Sequence, residues 1–270
     1  MLKNMLKMQK CCVQVCFGYN FVMVLLKESE KLEDLQTGNL WIIQDSEEYR
    51  FTSDAILLAN VVNAKSKDVV VDFGTGSGII PILLAYKKNP SKVIGVEIQP
   101  QLADMATRSV EYNNLQDKIK IVNMPLQEYA KQNCDKKVDI ITCNPPYIKQ
   151  NCGDVQLKES LKICRHEVLV TLDEICQAAG RLLKNNGRFY MVHKAERCSE
   201  IFELMLKYKI QPKEITTVCA REGDAPYLVI VCGAKAGKVG LKWNKPIVIY
   251  DNDGNYTQTT ARLYGEVNNG

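Results

Sequence analysis

Short apolar runs alternate with helical patterns from Val69 to residue 234. This alternation is typical of strand–helix–strand units, in which helices connect parallel strands. The first four runs are continuously apolar, as expected of strands that are covered on both faces. The sequence therefore predicts an α/β fold with a mostly parallel sheet. The predicted strands are residues 69–73, 92–98, 118–123, 138–144, 187–193, 214–220 and 227–234, and the predicted helices are 53–63, 78–88, 99–113, 171–184 and 195–208.

The N-terminal stretch has features of a signal peptide, because lysines precede the apolar run "CCVQVCFGYNFVMVLL". No small-x-small cleavage site follows, and Gly18, Tyr19 and Asn20 interrupt a run that is too short to span a bilayer. Residues 1–22 are interpreted as a non-conserved or disordered N-terminal extension with no role in the fold. Met23 then opens a predicted helical start, and residues 23–270 form a single domain. At the other end of the fold, the proline in "YKIQPKEI" is expected to stop the last predicted helix.

Charge and cysteine content limit the class of function. The 35 basic and 31 acidic side chains give a net charge of +4, which permits nucleic-acid binding without requiring it. The 11 cysteines include no CxxC pair, and the chain has two histidines. Zinc sites need closely spaced ligand pairs, so no metal site is expected. Reduced, mostly apolar cysteines are typical of a cytoplasmic protein.

A glycine-rich loop, "DFGTGSG", lies between the first strand and the next helix. Glycines allow a ligand to approach the backbone closely, and the helix start offers free N–H groups. The pattern is DxGxGxG and not GxGxxG, so a carboxylate precedes the glycines. That carboxylate disfavours a pyrophosphate and suits a ligand with a cationic amino-acid head, such as S-adenosylmethionine. The candidate cofactor-binding residues in the loop are Asp72, Gly74, Thr75, Gly76 and Gly78.

Glu97 closes the second predicted strand, 25 residues after Asp72. An acid at this position can accept hydrogen bonds from both ribose hydroxyls of a nucleoside. Ligands of open α/β sheets bind outside the carboxyl ends of the strands. The glycine loop and Glu97 are therefore expected to meet at one edge of the sheet.

The motif Asn144-Pro145-Pro146-Tyr147 ends the fourth predicted strand at the same edge. An exocyclic amino group is a poor nucleophile, because its lone pair is delocalised. Two rigid acceptors, the Asn144 side-chain carbonyl and the Pro145 backbone carbonyl, can hold its N–H groups and orient the lone pair. Tyr147 can stack on a planar substrate. The alternative interpretation is a proline-rich strand stop.

Two other groups of residues are candidates for the site. Phe51 and Asp54 precede a helix, where Asp54 has the alternative role of an N-cap. The loop over residues 149–166 carries a modest basic excess that suits RNA phosphates, although a solvated loop is an equal alternative. Its candidate substrate-binding residues are Lys149, Arg165 and His166, and Lys194 and Arg197 follow the fifth strand.

Together these motifs resemble class I S-adenosylmethionine-dependent methyltransferases that act on amino groups. Most of residues 23–265 resemble the bacterial tRNA adenine-N6 methyltransferases, which modify the adenine beside the anticodon of a valine tRNA. The resemblance implies a seven-stranded Rossmann-like sheet with a reversed last strand. It also implies that Asp72, Gly74, Gly76, Glu97, Phe51 and Asp54 bind S-adenosylmethionine and that Asn144 to Tyr147 bind the target amino group.

One position departs from that family. Many relatives have an acid after the third strand that binds the adenine of the cofactor, whereas this chain has Asn123 in "IVNMPLQEY". An amide at Asn123 is the expected replacement. The alternative functions are a protein-glutamine methyltransferase, a guanine-N2 methyltransferase and a non-catalytic partner subunit. The first of these usually has an N-terminal helical domain, for which the residues before Phe51 are too few.

Overall fold

The computed structural model describes residues 11–17, 20–45, 53–146 and 170–265. Within these ranges the chain is α/β. The strands are β1 (Cys11–Phe17), β2 (Asn20–Leu26), β3 (Glu30–Asp34), β4 (Trp41–Asp45), β5 (Val69–Phe73), β6 (Lys92–Glu97), β7 (Ile119–Asn123), β8 (Val138–Cys143), β9 (Leu183–Lys194), β10 (Ile210–Cys219), β11 (Leu228–Lys235), β12 (Lys242–Trp243) and β13 (Ile247–Val248). The helices are α1 (Ser53–Val61), α2 (Ile79–Lys87), α3 (Pro100–Tyr112), α4 (Leu126–Gln132), α5 (Leu172–Leu182), α6 (Cys198–Lys207) and α7 (Gln258–Tyr264).

The central sheet has the strand order β12-β10-β11-β9-β8-β5-β6-β7, and β13 also pairs with β10. Strand β11 is antiparallel to both of its neighbours, β9 and β10, whereas the other pairings in the sheet are parallel. The seven long strands are the seven predicted ones, and the reversed strand is the last of them. The prediction of a mostly parallel Rossmann-like sheet is therefore confirmed, with two two-residue strands added at one edge.

Helices cover both faces of this sheet. One face packs against α1 and α2 through a cluster that includes Leu57, Ile82 and Val70, and Val110 of α3 joins it. The opposite face packs against α4, α5 and α6, with Ile175 and Met205 among the buried side chains. Strands covered in this way need apolar residues on both faces, which explains the continuous apolar runs.

Two hairpins precede the sheet in the described residues. Strands β1 and β2 pair with each other, and so do β3 and β4. The predicted helical start at Met23 is wrong, because Met23 lies in β2 and the following segment forms β3. The hairpin of β3 and β4 packs on α3, where Nη1 and Nη2 of Arg108 donate to the Glu30 carboxylate at 2.8 and 2.6 Å. Tertiary contacts with α3 thus outweigh the helical propensity of the segment.

The end of α6 also differs from the prediction. The helix ends at Lys207, before the proline, and Lys209 has a left-handed φ of 59°. Pro212 lies inside β10, where the register shifts between Pro212 and Glu214. A bulge accommodates the missing N–H of a proline, so the proline interrupts a strand ladder instead of stopping the helix.

None of the helices in the described ranges is long and apolar enough to cross a membrane.

Candidate active site

The carboxyl ends of four adjacent strands bring the predicted motifs into one row. The last residue of β5, Phe73, is paired with Cys143 of β8 on one side and with Val96 of β6 on the other. The next residues of the three strands, Asn144, Gly74 and Glu97, therefore lie side by side. Glu97 is in turn opposite Asn123 of β7. Neighbouring strands are about 4.8 Å apart, so the row from Asn144 to Asn123 extends over about 14 Å. This length suits a ligand that lies across the sheet edge.

The glycine loop exposes its backbone to open space. Gly74 and Gly76 have left-handed φ angles of 65° and 57°, and a Cβ added to either would meet no atom within 4 Å. Gly78 has a φ of 93°, and its Cβ would lie 3.2 Å from the Ala106 Cβ. The first two glycines therefore leave room for a ligand, whereas Gly78 allows α2 to pack closely on α3.

Asp72 lies beneath this loop and is fully buried. The Thr142 hydroxyl donates a hydrogen bond of 2.6 Å to Asp72 Oδ1, and Oδ2 has no hydrogen-bond partner among the described residues. Burial, together with the smaller effect of the negative charge of Glu97, raises the pKa of Asp72 to about 7, against the lowering effect of the Thr142 hydrogen bond. A cationic group at the loop would compensate this buried charge.

Glu97 is also buried and accepts two backbone hydrogen bonds at 2.9 Å, from Gly76 N–H and Gln99 N–H. A carboxylate accepts hydrogen bonds from hydroxyl donors as well as from backbone N–H groups. Asn123 donates from Nδ2 to the carbonyls of Glu97 and Ile98, at 2.9 and 3.0 Å. Asn123 therefore fixes the backbone after Glu97, while its exposed side chain presents Oδ1 as an acceptor.

The motif Asn144-Pro145-Pro146-Tyr147 begins directly after β8. Asn144 is half-buried, Pro145 is buried and Pro146 is exposed. Their position directly after β8 places them beside the glycine loop, as predicted. Tyr147, together with Phe51, Lys149, Arg165 and His166, lies outside the described residues, so the roles predicted for these five residues stay predictions.

The other side of the edge is formed by β9, β11 and the start of α1. Strand β9 continues three residues beyond Met191, the partner of Cys143, and ends at Lys194. Arg197 follows in a 3-10 turn, where its Nε donates to Glu200 Oε2 at 2.7 Å. Asp54 is buried in the first turn of α1 and contributes, after burial and Tyr264, to raising the pKa of Tyr227 to about 12. Asp54 and Lys194 thus lie at the predicted edge, whereas the charge of Arg197 is already paired.

Two residues of the site were not identified from the sequence. Gln44 of β4 donates to Ser77 Oγ in the glycine loop at 2.9 Å. Thr142 holds Asp72, as described above. A polar residue inside an apolar run is a signal for such a role, and both "WIIQD" and "DIITC" contain one.

The residues of the row fit an S-adenosyl cofactor. The open space above Gly74 and Gly76 leaves room for a ligand. The acid at the end of β6 suits the nucleoside, and the buried Asp72 carboxylate, with its unpaired oxygen, suits the cationic amino-acid head. Fold and site define the chain as a Rossmann-like methyltransferase.

Comparison with known proteins agrees. The chain belongs to the methyltransferase small domain family, whose model matches residues 50–215. It is 29% identical, over 60% of its length and 67% of the relative, to a protein of Trichodesmium erythraeum named tRNA1(Val) (adenine(37)-N6)-methyltransferase. A relative of the same name from Histophilus somni is 26% identical over 84% of this chain and 93% of its own.

Solved structures show the same fold. A predicted O-methyltransferase from Agrobacterium tumefaciens matches with a TM-score of 0.62 and 18% identity, over 79% of this chain and 97% of that one. P. horikoshii TYW2 in complex with MeSAdo matches with a TM-score of 0.54 and 13% identity, over 80% of this chain and 75% of that one. The protein is an S-adenosylmethionine-dependent methyltransferase.

Proposed function

We propose that the protein methylates the exocyclic N6 amino group of an adenine in RNA, and that this adenine lies beside the anticodon of a valine tRNA. The observation that carries the proposal is the position of Asn144 and Pro145 directly beside the glycine loop, at the end of β8. When bound, S-adenosylmethionine supplies an electrophilic methyl group. The protein must therefore hold the acceptor nitrogen next to the loop.

The motif is suited to an –NH₂ group. The Asn144 side-chain carbonyl and the Pro145 backbone carbonyl are both acceptors, and each can take one N–H of the target. The proline at position 145 keeps Asn144 extended, and both proline rings stiffen the backbone. Holding both N–H groups directs the nitrogen lone pair towards the loop, which is catalysis by orientation.

Adenine in tRNA is the favoured target for two reasons. The two relatives described above carry names for that activity. An anticodon-loop adenine is also single-stranded, so presenting it to the motif requires little unpairing. The free cysteines of the described residues and a tRNA substrate both suit a cytoplasmic enzyme.

The protein-glutamine alternative is less well supported. The described residues before α1 form the two hairpins of β1 to β4 and contain no helix. A guanine-N2 target would use the same acceptors, so the product must distinguish it from adenine.

The test is methyl transfer from tritiated S-adenosylmethionine to total tRNA from cells that lack the protein. We expect the label in N6-methyladenosine after digestion. Asn144→Ala should lower kcat about 100-fold and leave the affinity for S-adenosylhomocysteine unchanged, because Asn144 holds the target. Asn185→Ala, an exposed asparagine at the opposite edge of the sheet, is the matched control. Label in protein, label in N2-methylguanosine, or equal activity of Asn144→Ala and wild type would each contradict the proposal.

A further inference from the structure

A second basic surface lies along the outer edge of the sheet, away from the candidate active site. It is the segment 235–245, "KAGKVGLKWNK", here called the basic edge segment. Residues 225–250 contain four lysines and no acidic residue. Lys238, Lys242 and Lys245 are all exposed. None of the residues assigned to cofactor or target binding belongs to this segment.

Large apolar side chains are interleaved with these lysines and point into solvent. Trp243 is 67% exposed, Val239 is 89% exposed and Leu241 is 37% exposed. Exposed apolar side chains that are grouped and surrounded by polar ones mark interaction sites more often than single exposed residues do. Tryptophan offers a face on which a nucleic-acid base can stack regardless of its identity.

A cavity of about 370 Å³ adjoins the segment and is lined by three cations. Its lining consists of Arg188, Lys213, Glu214, Gly240, Leu241 and Lys242. Lys213, one of these three cations, donates from Nζ to the Lys238 carbonyl at 3.1 Å and so lies directly beside the segment. Glu214, the one acid of the lining, accepts from Asn244 Nδ2 at 3.3 Å.

Arg188 gives the cavity an unfulfilled hydrogen-bonding group. Its Nη1 is buried and has no hydrogen-bond partner among the described residues. The guanidinium of Arg188 lines the cavity, and its nitrogen without an acceptor adds uncompensated positive charge there. Together with Lys213 and Lys242, this arrangement suits the oxygen atoms of a phosphate.

The basic edge segment is connected to the candidate active site by the sheet. Strand β12 pairs with Glu214 and Ile215 of β10, and β13 pairs with Val218 and Cys219 at the end of that strand. Four residues of a strand extend over about 13 Å, and β12 lies four strand spacings, about 19 Å, from β8, so Trp243 is about 23 Å, or a few nucleotides, from the catalytic motif. One RNA strand can therefore reach both.

We infer that the basic edge segment binds the RNA substrate outside the target nucleotide. The exposed Lys238, Lys242 and Lys245 bind backbone phosphates, with Lys213 and Arg188 adding positive charge in the adjoining cavity, and Trp243 stacks on an unpaired base or ribose. This inference rests on the proposed RNA substrate and adds to it a binding surface that sets affinity. The surface takes no part in orienting the target amino group.

The test compares two triple variants with the same change of charge. One is Lys238→Ala/Lys242→Ala/Lys245→Ala, and the control is Lys92→Ala/Lys120→Ala/Lys131→Ala, whose three lysines are exposed elsewhere on the protein. The probe is fluorescently labelled total tRNA, and its dissociation constant is measured at several salt concentrations. The first variant should bind at least about tenfold more weakly, with a salt slope reduced by about 2, whereas the control should match wild type.

The aromatic contribution has its own variant. Trp243→Ala should weaken tRNA binding about tenfold without changing the salt slope, and Trp243→Phe should restore most of the affinity. For all these variants, kcat at saturating tRNA and the affinity for S-adenosylhomocysteine should equal those of wild type. These two measurements also show that each variant is folded.

The outcomes separate this inference from the proposed function. If wild type methylates tRNA and the triple variant binds it as tightly as the control, the surface does not bind RNA. Loss of binding to phosphatidylserine vesicles with unchanged tRNA affinity would likewise overturn the inference in favour of a membrane surface. If wild type binds tRNA through these lysines but methylates none, the surface stands and the proposed function fails.

Discussion

Asp72 and His193 are both buried, and protonation of each changes the stability of the fold in opposite directions. Burial raises the pKa of Asp72 to about 7, so the folded protein binds a proton that the unfolded chain, with a pKa of 3.8, has released. The contribution of Asp72 to stability therefore improves as the pH falls from about 7 to 4. Burial, with the charge of Arg197, lowers the pKa of His193 to about 4. When the pH falls below 6.5, the ordinary pKa of histidine, the unfolded chain binds the proton before the folded protein does. The contribution of His193 to stability therefore decreases as the pH falls towards 4.

Asp72→Asn is expected to stabilise the fold and to weaken cofactor binding. At pH 8 the buried carboxylate is ionised, and removing its charge should raise the free energy of unfolding by at most about 4 kcal/mol. The advantage over wild type should shrink as the pH is lowered from 7 to 4, because the wild-type carboxyl becomes neutral there. Urea titrations across this range measure the difference, and calorimetry with S-adenosylmethionine should show weaker binding.

The matched variant is His193→Gln, which removes the titration of opposite sign. Its stability relative to wild type should improve as the pH is lowered from 6.5 to 4. If the stability difference between Asp72→Asn and wild type does not depend on pH, the fold does not raise the pKa of Asp72, and this prediction is wrong.

At the scale of elements, the hairpin of β3 and β4 connects the N-terminal part of the chain to the glycine loop. Ile43 N–H donates to Ser109 Oγ at 2.9 Å, and Trp41 N–H donates to Asn113 Oδ1 at 2.9 Å, so β4 is fixed along α3. Gln44 then reaches Ser77 between the second and third glycines. The hairpin thus contacts the loop at Ser77, next to Gly76, whose N–H is held by Glu97.

Gln44→Leu should loosen the glycine loop. The variant loses the hydrogen bond to Ser77 and leaves the buried Ser77 hydroxyl with one fewer partner, which costs about 1 kcal/mol. We expect a several-fold weaker affinity for S-adenosylhomocysteine with an unchanged kcat at saturating cofactor. A double-mutant cycle with Ser77→Ala isolates the pair, and a coupling energy near zero would show that Gln44 does not act through Ser77.

At the scale of the whole molecule, patterns that depend on neighbouring residues were predictable, and those that depend on distant contacts were not. The seven strands and the positions of Asp72, Glu97 and Asn144 follow from apolar runs and motif spacing. The segment after Met23 has a helical pattern, but its place on α3 makes it a hairpin. Pro212 was misinterpreted because a bulge in the pairing of β10 with β11 cannot be seen in sequence. The polar Gln44 inside an apolar run signals a buried contact, but its partner Ser77 is 33 residues away and cannot be identified from the sequence.

The order of strands also predicts how the two ligands divide the edge of the sheet. Glu97 and Asn123 lie on the β6 and β7 side of Gly74, whereas Asn144 and Lys194 lie on the β8 and β9 side. Glu97→Gln should therefore weaken S-adenosylhomocysteine binding at least tenfold, because a charged acceptor is lost, and leave tRNA affinity unchanged. Lys194→Ala should weaken tRNA binding a few-fold and leave the cofactor affinity unchanged.

Calorimetry with S-adenosylhomocysteine and anisotropy with labelled tRNA measure the two affinities on the same preparations. Glu111→Gln, at an exposed site on α3, controls for the change of charge at Glu97. An effect of Lys194→Ala on cofactor affinity equal to that of Glu97→Gln would mean that one ligand occupies the whole row. In that case the switch in strand order at β5, from which the chain proceeds to β6 and β7 on one side and to β8 and β9 on the other, would not separate cofactor from target.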